Sequence, residues 1–381
     1  MSRCSLQTGI NVELTELGYD ELYRTAEQIS QDSPYDLIRL DLLWLSDLGK
    51  QLFSPLNMDS PELKTIVSEF SPNISDEYFK IGKTVYALPF DPSVQMLYYR
   101  TDLFEDVKIK REFYERHRRQ LTVPQSIEEY CEVARFFTRK YNPNSPTDFG
   151  ATLVFGAELT AACDYLPWFM AHGGKIFDKH GRVMINTPAA KKALENYIDM
   201  FNYTERTPNM WWRKALENFA LGNTALVSSF SNHASRMVLG QGSKVVGKIG
   251  FAAIPGGHPL LGGGVVGISK DSKKYEECVQ VLKWIYQANI SSIIAYLGGN
   301  SPCQNVYENE DLQTLYPWIK GIDDGLGIGR RRNENRRNPK FSDLKYETIL
   351  GAAVRNVAMG VADIDTALKE AQGLLDHEFN E

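Results

Sequence analysis

The chain has 381 residues, of which 43% are hydrophobic, 11% are aromatic and 24% are charged. This composition is typical of an ordered globular protein and excludes an intrinsically disordered chain, and the length predicts two domains. A formal net charge of −6 argues against general affinity for nucleic acids or anionic membranes. No stretch approaches the roughly 18 uninterrupted apolar residues of a membrane helix, and the N-terminal sequence lacks the apolar core of a secretion signal.

The cysteines are odd in number and widely scattered. They are Cys4, Cys131, Cys163, Cys278 and Cys303. No CxxC pair or Cys/His ligand spacing is present, so no metal site is predicted. Cys131 and Cys278 lie on apolar faces of predicted helices, where a thiol is most often a small core residue. This use of cysteine fits a reducing compartment better than an oxidising one.

The first predicted elements alternate between strand and helix. YDLIRLDLLWLSDLGK (35–50) opens with a short apolar strand and continues into a polar-capped segment. Ser60 is the predicted cap of the helix that follows, and Ser126 is the cap of a later one with a helical apolar stripe. Between these two helices, the charged segment KIKREFYERHRRQL (108–121) is predicted to be a helix or a surface insertion.

The most distinctive stretch is YALPFDPSVQMLYYRTDLF (86–104). Pro89 and Pro92 each lack an N–H and fix φ, so they interrupt any helix or central strand. The stretch therefore predicts a strand, a rigid bend that carries Asp91, and a second strand with Gln95 near its start. A ligand-facing bend and a simple sheet corner both fit this pattern.

The second half of the chain continues the alternation. FGATLVFG (149–156) is a predicted strand, a small hairpin has its turn at 179–181, and Thr187 caps a helix. TALVSSF (224–230) and KIGFAAIP (248–255) are two further strands.

The C-terminal third begins with the glycine-rich segment 256–269 and continues into a strongly helical segment, 272–289. Two more helices close the chain, the second capped by Asp363 or Asp365. Alternating strands and helices predict the α/β class with largely parallel sheets. Because no low-complexity linker interrupts the chain, we expect two lobes joined by several chain crossings.

Enzyme motifs are scarce. The glycine runs at 262–264 and 325–330 match neither a phosphate loop nor a dinucleotide fingerprint, and G-x-S-x-G is absent. The six histidines form no H-E-x-x-H pair. A two-carboxylate glycosidase stays open as a remote alternative, because acidic residues are plentiful and the sequence singles out no pair.

Aromatic residues stand near several predicted strand or helix ends. They are Trp44, Phe90, Trp168, Trp211, Trp212 and Phe230. In open α/β sheets ligands bind beyond the carboxyl ends of strands. Aromatic faces beside carboxylates and amides suit a sugar, whose C–H face stacks while its hydroxyls form hydrogen bonds. The alternative is that each aromatic is a core residue.

The order of these segments resembles that of the extracellular solute-binding proteins of sugar transporters, the group that includes maltodextrin-binding proteins. The resemblance is carried by TGINVEL, YDLIRLDLLWLSDL, GKTVYALPFDPSVQMLYYRTDLF, WFMAHGGKIFD, FALGNTALVSSFS, GGGVVGISKDSKKYEECVQVLKWI and GVADIDTALKEAQ. TGINVEL looks like the family's turn from its first helix into its second strand.

The resemblance implies a two-lobe fold of the type II periplasmic-binding-protein kind, with a ligand cleft between the lobes. The first lobe would comprise residues 1–107 and 258–298, and the second 108–257 and 299–381. The family's first strand and most of its first helix have no counterpart in this sequence. Hinge crossings are expected near 105–110, 254–260 and 297–303.

The resemblance also implies a set of ligand-binding residues. They are Asp41, Trp44, Phe90, Asp91, Gln95, Trp168, Phe230, Ser231, Asn232, Gly263, Gly264 and Gln304. The glycines would let the backbone approach the ligand closely. Two of the departures from the family concern these residues. Val265 and Val266 stand where a tryptophan often follows the glycines, and Gln304 replaces an arginine, which favours a sugar without a carboxylate.

By this resemblance the chain binds a mono- or oligosaccharide by hinge closure, as the receptor of an ABC transporter that docks on a permease outside the cell. The alternative is a cytoplasmic sugar-sensing domain of a transcriptional regulator, fused behind a DNA-binding domain. The missing secretion signal and first strand fit a fragment of a longer polypeptide on either reading, a trimmed receptor or a sensor domain, and the unpaired cysteines favour the sensor domain. No cofactor, membrane insertion or direct contact with nucleic acid is expected. The arginine-rich segment 329–340 is predicted to be a solvated loop, with a phosphate or nucleic-acid contact as the other possibility.

Overall fold

The computed structural model describes residues 2–29, 32–207, 210–331, 338 and 340–381. Most of the predicted arginine cluster, residues 332–337, lies outside the described residues. In chain order the α-helices are α1 (Ser2–Thr8), α2 (Tyr19–Gln28), α3 (Leu45–Leu52), α4 (Pro61–Ser68), α5 (Thr101–Glu105), α6 (Val107–His117), α7 (Ile127–Phe136), α8 (Glu158–Ala171), α9 (Pro188–Met200), α10 (Trp212–Ala220), α11 (Arg236–Leu239), α12 (Tyr275–Ile285), α13 (Ala288–Tyr296), α14 (Gln304–Tyr307), α15 (Glu310–Leu315), α16 (Ile319–Ile328), α17 (Asp343–Ala358) and α18 (Ile364–Leu375).

The strands are short and alternate with these helices. They are β1 (Leu37–Asp41), β2 (Lys80–Ile81), β3 (Thr84–Val85), β4 (Leu88–Pro89), β5 (Ser93–Arg100), β6 (Leu226–Phe230), β7 (Ile249–Ala253), β8 (Leu261–Gly262) and β9 (Gly264–Ile268). The mixed α/β class expected from the sequence is confirmed.

The chain divides into two compact units. Unit 1 comprises Met1–Val94 and Leu261–Arg332, and unit 2 comprises Gln95–Leu260 and Asn333–Glu381. Compared with the bounds expected from the sequence, 95–107 and 258–260 lie in unit 2, and 299–332 lies in unit 1. The chain passes between the units after Val94, after Leu260 and after Arg332.

The central strand of the unit 1 sheet is β9, which pairs with β1 on one side and β4 on the other. Both pairings are antiparallel, with Asp41 opposite Gly264 and Leu88 opposite Val266. Along β1 buried residues alternate with partly exposed ones. This alternation is the pattern of a strand with one face in the core.

The unit 2 sheet is built on β5, which lies between β6 and β7. Gln95 is opposite Phe230 in β6, and Met96 is opposite Ala253 in β7. The named strands in the described part of the chain all pair antiparallel, and parallel contacts occur only as isolated bridges, such as Phe149 with Thr224.

The prediction of largely parallel sheets is therefore wrong. Alternating elements establish the α/β class, but strand direction depends on which distant segment becomes the neighbour. Here β9 returns to unit 1 after the whole stretch 95–260 and runs opposite to both β1 and β4.

Two predicted strands do not form as expected. Residues 9–18, which include most of TGINVEL, connect α1 to α2 without a strand, and 149–156 contributes only isolated bridges. An extended run becomes a strand only when a neighbouring backbone supplies hydrogen-bond partners along its length. The sequence pattern shows the extended preference but not the partner.

The predicted helix caps are confirmed. The side chains of Ser60, Ser126, Thr187 and Asp363 each accept a hydrogen bond from a backbone N–H in the first turn of α4, α7, α9 and α18. The charged segment near residue 108 forms α6, and the predicted small hairpin is present as a bridge between Phe177 and Val183. Short polar side chains before an apolar stripe were therefore reliable signals of helix starts.

The cysteines are all free thiols, and all but Cys131 are buried. Cys131 lies on α7 and is half-buried, and Cys278 is buried on α12, so the two form part of apolar helix faces as expected. Burial raises the pKa of Cys131 to about 12 and that of Cys278 to about 11. Among the described residues, no helix combines the length and apolar character needed to span a membrane.

Candidate functional site

The first part of the candidate site lies at the end of β1 in unit 1. Because side chains alternate along a strand, Arg39 and Asp41 project from the same face, whereas Ile38 and Leu40 point into the core. The Asp41 carboxylate accepts a hydrogen bond of 2.9 Å from the Leu43 backbone N–H, which begins a short 3-10 turn. The strand therefore ends with two charged groups side by side on its partly exposed face.

Arg39 forms an ion pair with Asp91, which the sequence places in the proline bend. One guanidinium nitrogen, Nη2, donates to both carboxylate oxygens of Asp91, at 3.1 and 3.2 Å. The two side chains stay 29% and 27% exposed. Burial raises the pKa of Asp41, and the positive charges of Arg39 and Arg331 offset part of that rise. Unit 1 thus presents donors and acceptors fixed in one cluster.

The bend itself is anchored by distant side chains. The Tyr286 hydroxyl donates to the Pro89 carbonyl at 2.9 Å, and Asn300 donates to the Pro92 carbonyl at 2.8 Å. Phe90, between them, is half-buried, and its N–H donates to the Gly264 carbonyl at 2.8 Å. Asp91 is therefore carried on a segment whose backbone is held by hydrogen bonds on both sides of it.

Gly263 and Gly264 allow this cluster to form. Gly263 has a φ of +80°, and a Cβ there would lie 1.9 Å from the Asp91 carbonyl oxygen. A Cβ on Gly264 would lie 2.3 Å from Arg39 Nε. Protein atoms occupy the space beside both glycines, so their missing side chains bring β1, β9 and the bend together.

Trp44 lies beneath other aromatic residues of unit 1. It is 1% exposed, with the rings of Tyr19 and Tyr23 at 4.7 and 5.1 Å from its own ring. Tyr19 is 46% exposed, so it offers the aromatic surface that the sequence assigned to Trp44. Sequence reasoning missed Tyr19 and Arg39. Only Arg39 had a signal, its position two residues before Asp41 on one strand face.

Gln304 lies elsewhere in unit 1. It begins α14, where its backbone N–H donates to the Glu69 carbonyl at 2.8 Å. Its side-chain amide donates to Glu308, the residue that follows α14, at 2.7 Å. Both contacts hold the start of α14.

In unit 2, three predicted residues lie at the end of β6. Phe230 closes the strand, and Ser231 and Asn232 follow in a 3-10 turn, where Ser231 is buried and Asn232 is half-buried. The Phe230 ring packs edge-to-face on Trp212 at 5.2 Å. Trp211 next to it is 42% exposed, so it is the more accessible aromatic surface of this corner.

The side chain of Gln95 forms hydrogen bonds that link separate segments of unit 2. It is 3% exposed; its amide nitrogen donates to the Cys163 carbonyl at 2.8 Å, and its oxygen accepts from the Leu260 N–H at 3.1 Å. These bonds satisfy the main polar groups of a buried amide. Gln95 thus joins β5 to α8 and to the residue that precedes β8.

Trp168 lines a small internal cavity of unit 2. The cavity has a volume of about 10 Å³, close to the least that holds one water molecule. Its lining includes Tyr130, Asp164, Trp168 and Ser228. Trp168 is 4% exposed and packs against Tyr130 and Tyr197, with ring centres 5.9 and 5.5 Å away.

Asp164 is the buried acid of this cavity. It is 5% exposed, and its Oδ2 accepts hydrogen bonds from the Val154 N–H at 2.9 Å and the Tyr197 hydroxyl at 2.8 Å. Burial raises the pKa of Asp164 to about 7, although the hydrogen bonds from those two donors lower the pKa in part. Among the residues that the structure describes, no group of His, Cys, Asp and Glu could hold a metal ion.

Known proteins are similar to this chain in sequence or in fold. A probable ABC transporter-binding protein of Deinococcus radiodurans is 23% identical over 390 residues, which cover 97% of this chain and 87% of that protein. A solute-binding protein of an Agrobacterium radiobacter ABC transporter, solved in complex with ribitol, has a TM-score of 0.81 and 22% identity, covering 99% of this chain and 93% of that one. Maltose-bound MalE3 of T. maritima has a TM-score of 0.80 and 21% identity, covering 99% and 94%.

The family model of the bacterial extracellular solute-binding proteins matches residues 5–288, about three quarters of the chain. The match spans the unit 1 cluster, which consists of Arg39, Asp41 and Asp91, and most of unit 2. The likeness to the solved structures extends over both units. The chain therefore belongs to the bacterial extracellular solute-binding protein family and has its two-lobe α/β fold.

Proposed function

We propose that the chain binds a sugar or polyol as the substrate-binding component of an ABC transporter. The observation that carries the proposal is the unit 1 cluster, in which Arg39, Asp41 and Asp91 stand on rigid elements near the half-exposed ring of Tyr19. Sugar hydroxyls both donate and accept, so a guanidinium beside carboxylates satisfies them in pairs. An aromatic ring covers the apolar C–H face of the same ligand.

The relatives support the transport role. The solved relatives hold ribitol and maltose, and the curated relative is described as a probable ABC transporter-binding protein. We therefore favour a transport receptor over a regulator's sensor domain, with an ABC permease as partner and a location outside the cell. Ser231 and Asn232 are the residues that we propose for ligand contact in unit 2.

The experiment is a thermal-melt screen against monosaccharides, oligosaccharides and polyols, followed by calorimetry on every ligand that shifts the melt. A ligand at about 100 times its Kd adds about 2.7 kcal/mol to the free energy of unfolding. A shift with one class of sugar or polyol is expected. If none of these compounds moved the melt, the proposed function would be wrong.

Matched tyrosine variants test the proposed site. In Tyr19→Leu the leucine still covers Trp44 but removes the ring and hydroxyl, and we expect affinity to fall about tenfold. The control is Tyr114→Leu on α6, because Tyr114 is equally exposed at 46%. Equal affinities in the two variants would contradict the placement of ligand beside Tyr19.

A further inference from the structure

Arg39 follows an unusual path through unit 1. It leaves β1 on the same face as Asp41, passes across Gly264, and reaches Asp91 on the proline bend. Any side chain at Gly264 would overlap Arg39 Nε. Because residue 264 is a glycine, the Arg39 guanidinium has room to lie between Asp41 and Asp91.

The guanidinium keeps donors for a ligand. It carries five N–H groups on three nitrogens. Within the described part of the chain, Nη2 is the one nitrogen of Arg39 with hydrogen-bond partners, and both belong to Asp91. Because 29% of the side chain is exposed, the other N–H groups can reach a hydroxyl of a bound molecule.

The charges around those donors decide which molecule fits. A lone arginine would favour a carboxylate ligand, which it binds through two parallel hydrogen bonds. Here the Asp91 carboxylate already accepts from Nη2 through both of its oxygens, and it remains 27% exposed beside any group that approaches Arg39. An acidic ligand would bring a second negative charge next to Asp91, whereas a hydroxyl could accept from Arg39 and donate to Asp91.

We propose that the Arg39–Asp91 pair makes this site select neutral polyhydroxy ligands and reject their acidic counterparts. The inference rests on the proposed function and names the ligand class of the same site. Asp91 determines this preference, because its negative charge neutralises the guanidinium charge that would otherwise attract an acidic ligand.

The test uses ligand pairs that differ by one carboxylate. They are ribitol with ribonate, D-mannitol with D-mannonate, and maltitol with maltobionate. Calorimetry on the full chain gives the ratio of the Kd of the acid to the Kd of its neutral partner. We expect a ratio above about ten in the wild type, since a like charge in close contact costs at least this factor.

Asp91→Asn keeps the shape of the side chain and removes its charge, so the ratio should fall about tenfold or more. The control is Asp59→Asn in unit 1, which makes the same charge change on a carboxylate that is 96% exposed and should leave the ratio unchanged. A wild-type ratio near one, or an equal ratio in wild type and Asp91→Asn, would overturn the inference. A wild-type ratio near one would overturn the inference even if Asp91→Asn does not fold.

The two proposals fail in different ways. If the wild type binds a neutral ligand but shows no preference over its acid, only the selection by charge is wrong. If it binds neither member of any pair, nor any compound of the melt screen, the proposed function fails and the inference fails with it.

Discussion

Replacing Asp164 by asparagine should make the protein more stable at high pH. The folded pKa of this carboxyl is about 7, raised by burial from 3.8, whereas the unfolded chain releases the proton near 4. Between these values the folded state holds more protons than the unfolded state. The free energy of unfolding of the wild type therefore falls as pH rises from about 4 to 7 and levels off above 7.

The size of the effect follows from the shift. About three pKa units at 1.36 kcal/mol each correspond to a loss of about 4 kcal/mol between pH 4 and pH 8. The substituted asparagine would stay neutral throughout, and its amide oxygen can accept from the Val154 N–H and the Tyr197 hydroxyl as the carboxylate does. The variant should match the wild type near pH 4 and exceed its stability by up to about 4 kcal/mol at pH 8.

The assay is urea unfolding of both proteins from pH 4 to pH 8.5, analysed as the difference between them at each pH. This difference cancels the titration of the histidines and of surface groups. Asp311→Asn, at an exposed position in the first turn of α15, is the control and should follow the wild type. A constant difference between Asp164→Asn and the wild type over this range would refute the reasoning, because the buried carboxyl would then titrate equally in both states.

Two further substitutions test the local structure by urea unfolding. Gly263→Ala should cost about 2 kcal/mol or more, because alanine is strained at a φ of +80° and its Cβ would overlap the Asp91 carbonyl. Gly18→Ala, with a φ of −64° and open space at its Cβ, is the control; equal costs would contradict the argument. Ser126→Ala should cost about 1 kcal/mol by removing the cap on the Glu129 N–H, and an unchanged midpoint would show that the cap adds nothing.

The elements that could be predicted from the sequence are those with local causes. A serine, threonine or aspartate before an apolar stripe marked the starts of α4, α7, α9 and α18, because the capping bond spans only three residues. The bend at Pro89 and Pro92 was predictable for the same reason, since each proline fixes its own φ. Strand direction was not predictable, because the partner of β1 lies more than two hundred residues away.

The same limit applies to the candidate site. Asp41, Asp91 and the glycines were selected because they lie in segments that resemble the family's, and those segments can be recognised locally in the sequence. The sequence places Arg39 two residues before Asp41 on one strand face, but its pairing with Asp91 could not be predicted, because the two residues are 52 positions apart and the path between them is open only where Gly264 lacks a Cβ. Trp44 was selected as a stacking surface, but Tyr19 from α2 covers it.

These two findings have a common cause. An aromatic ring or a charge in the sequence shows which chemistry is available, but its exposure is decided by neighbours from other elements. In unit 1, Tyr19 covers Trp44 and is itself exposed, so Tyr19 provides the aromatic surface. Asp91 forms an ion pair with Arg39, so the guanidinium is not a free cation. Under the proposed selection, the ligand class depends less on which polar residues the site contains than on which of them already form hydrogen bonds with one another. For this reason the removal of one negative charge, in Asp91→Asn, is expected to weaken the preference for neutral over acidic ligands while the fold stays the same.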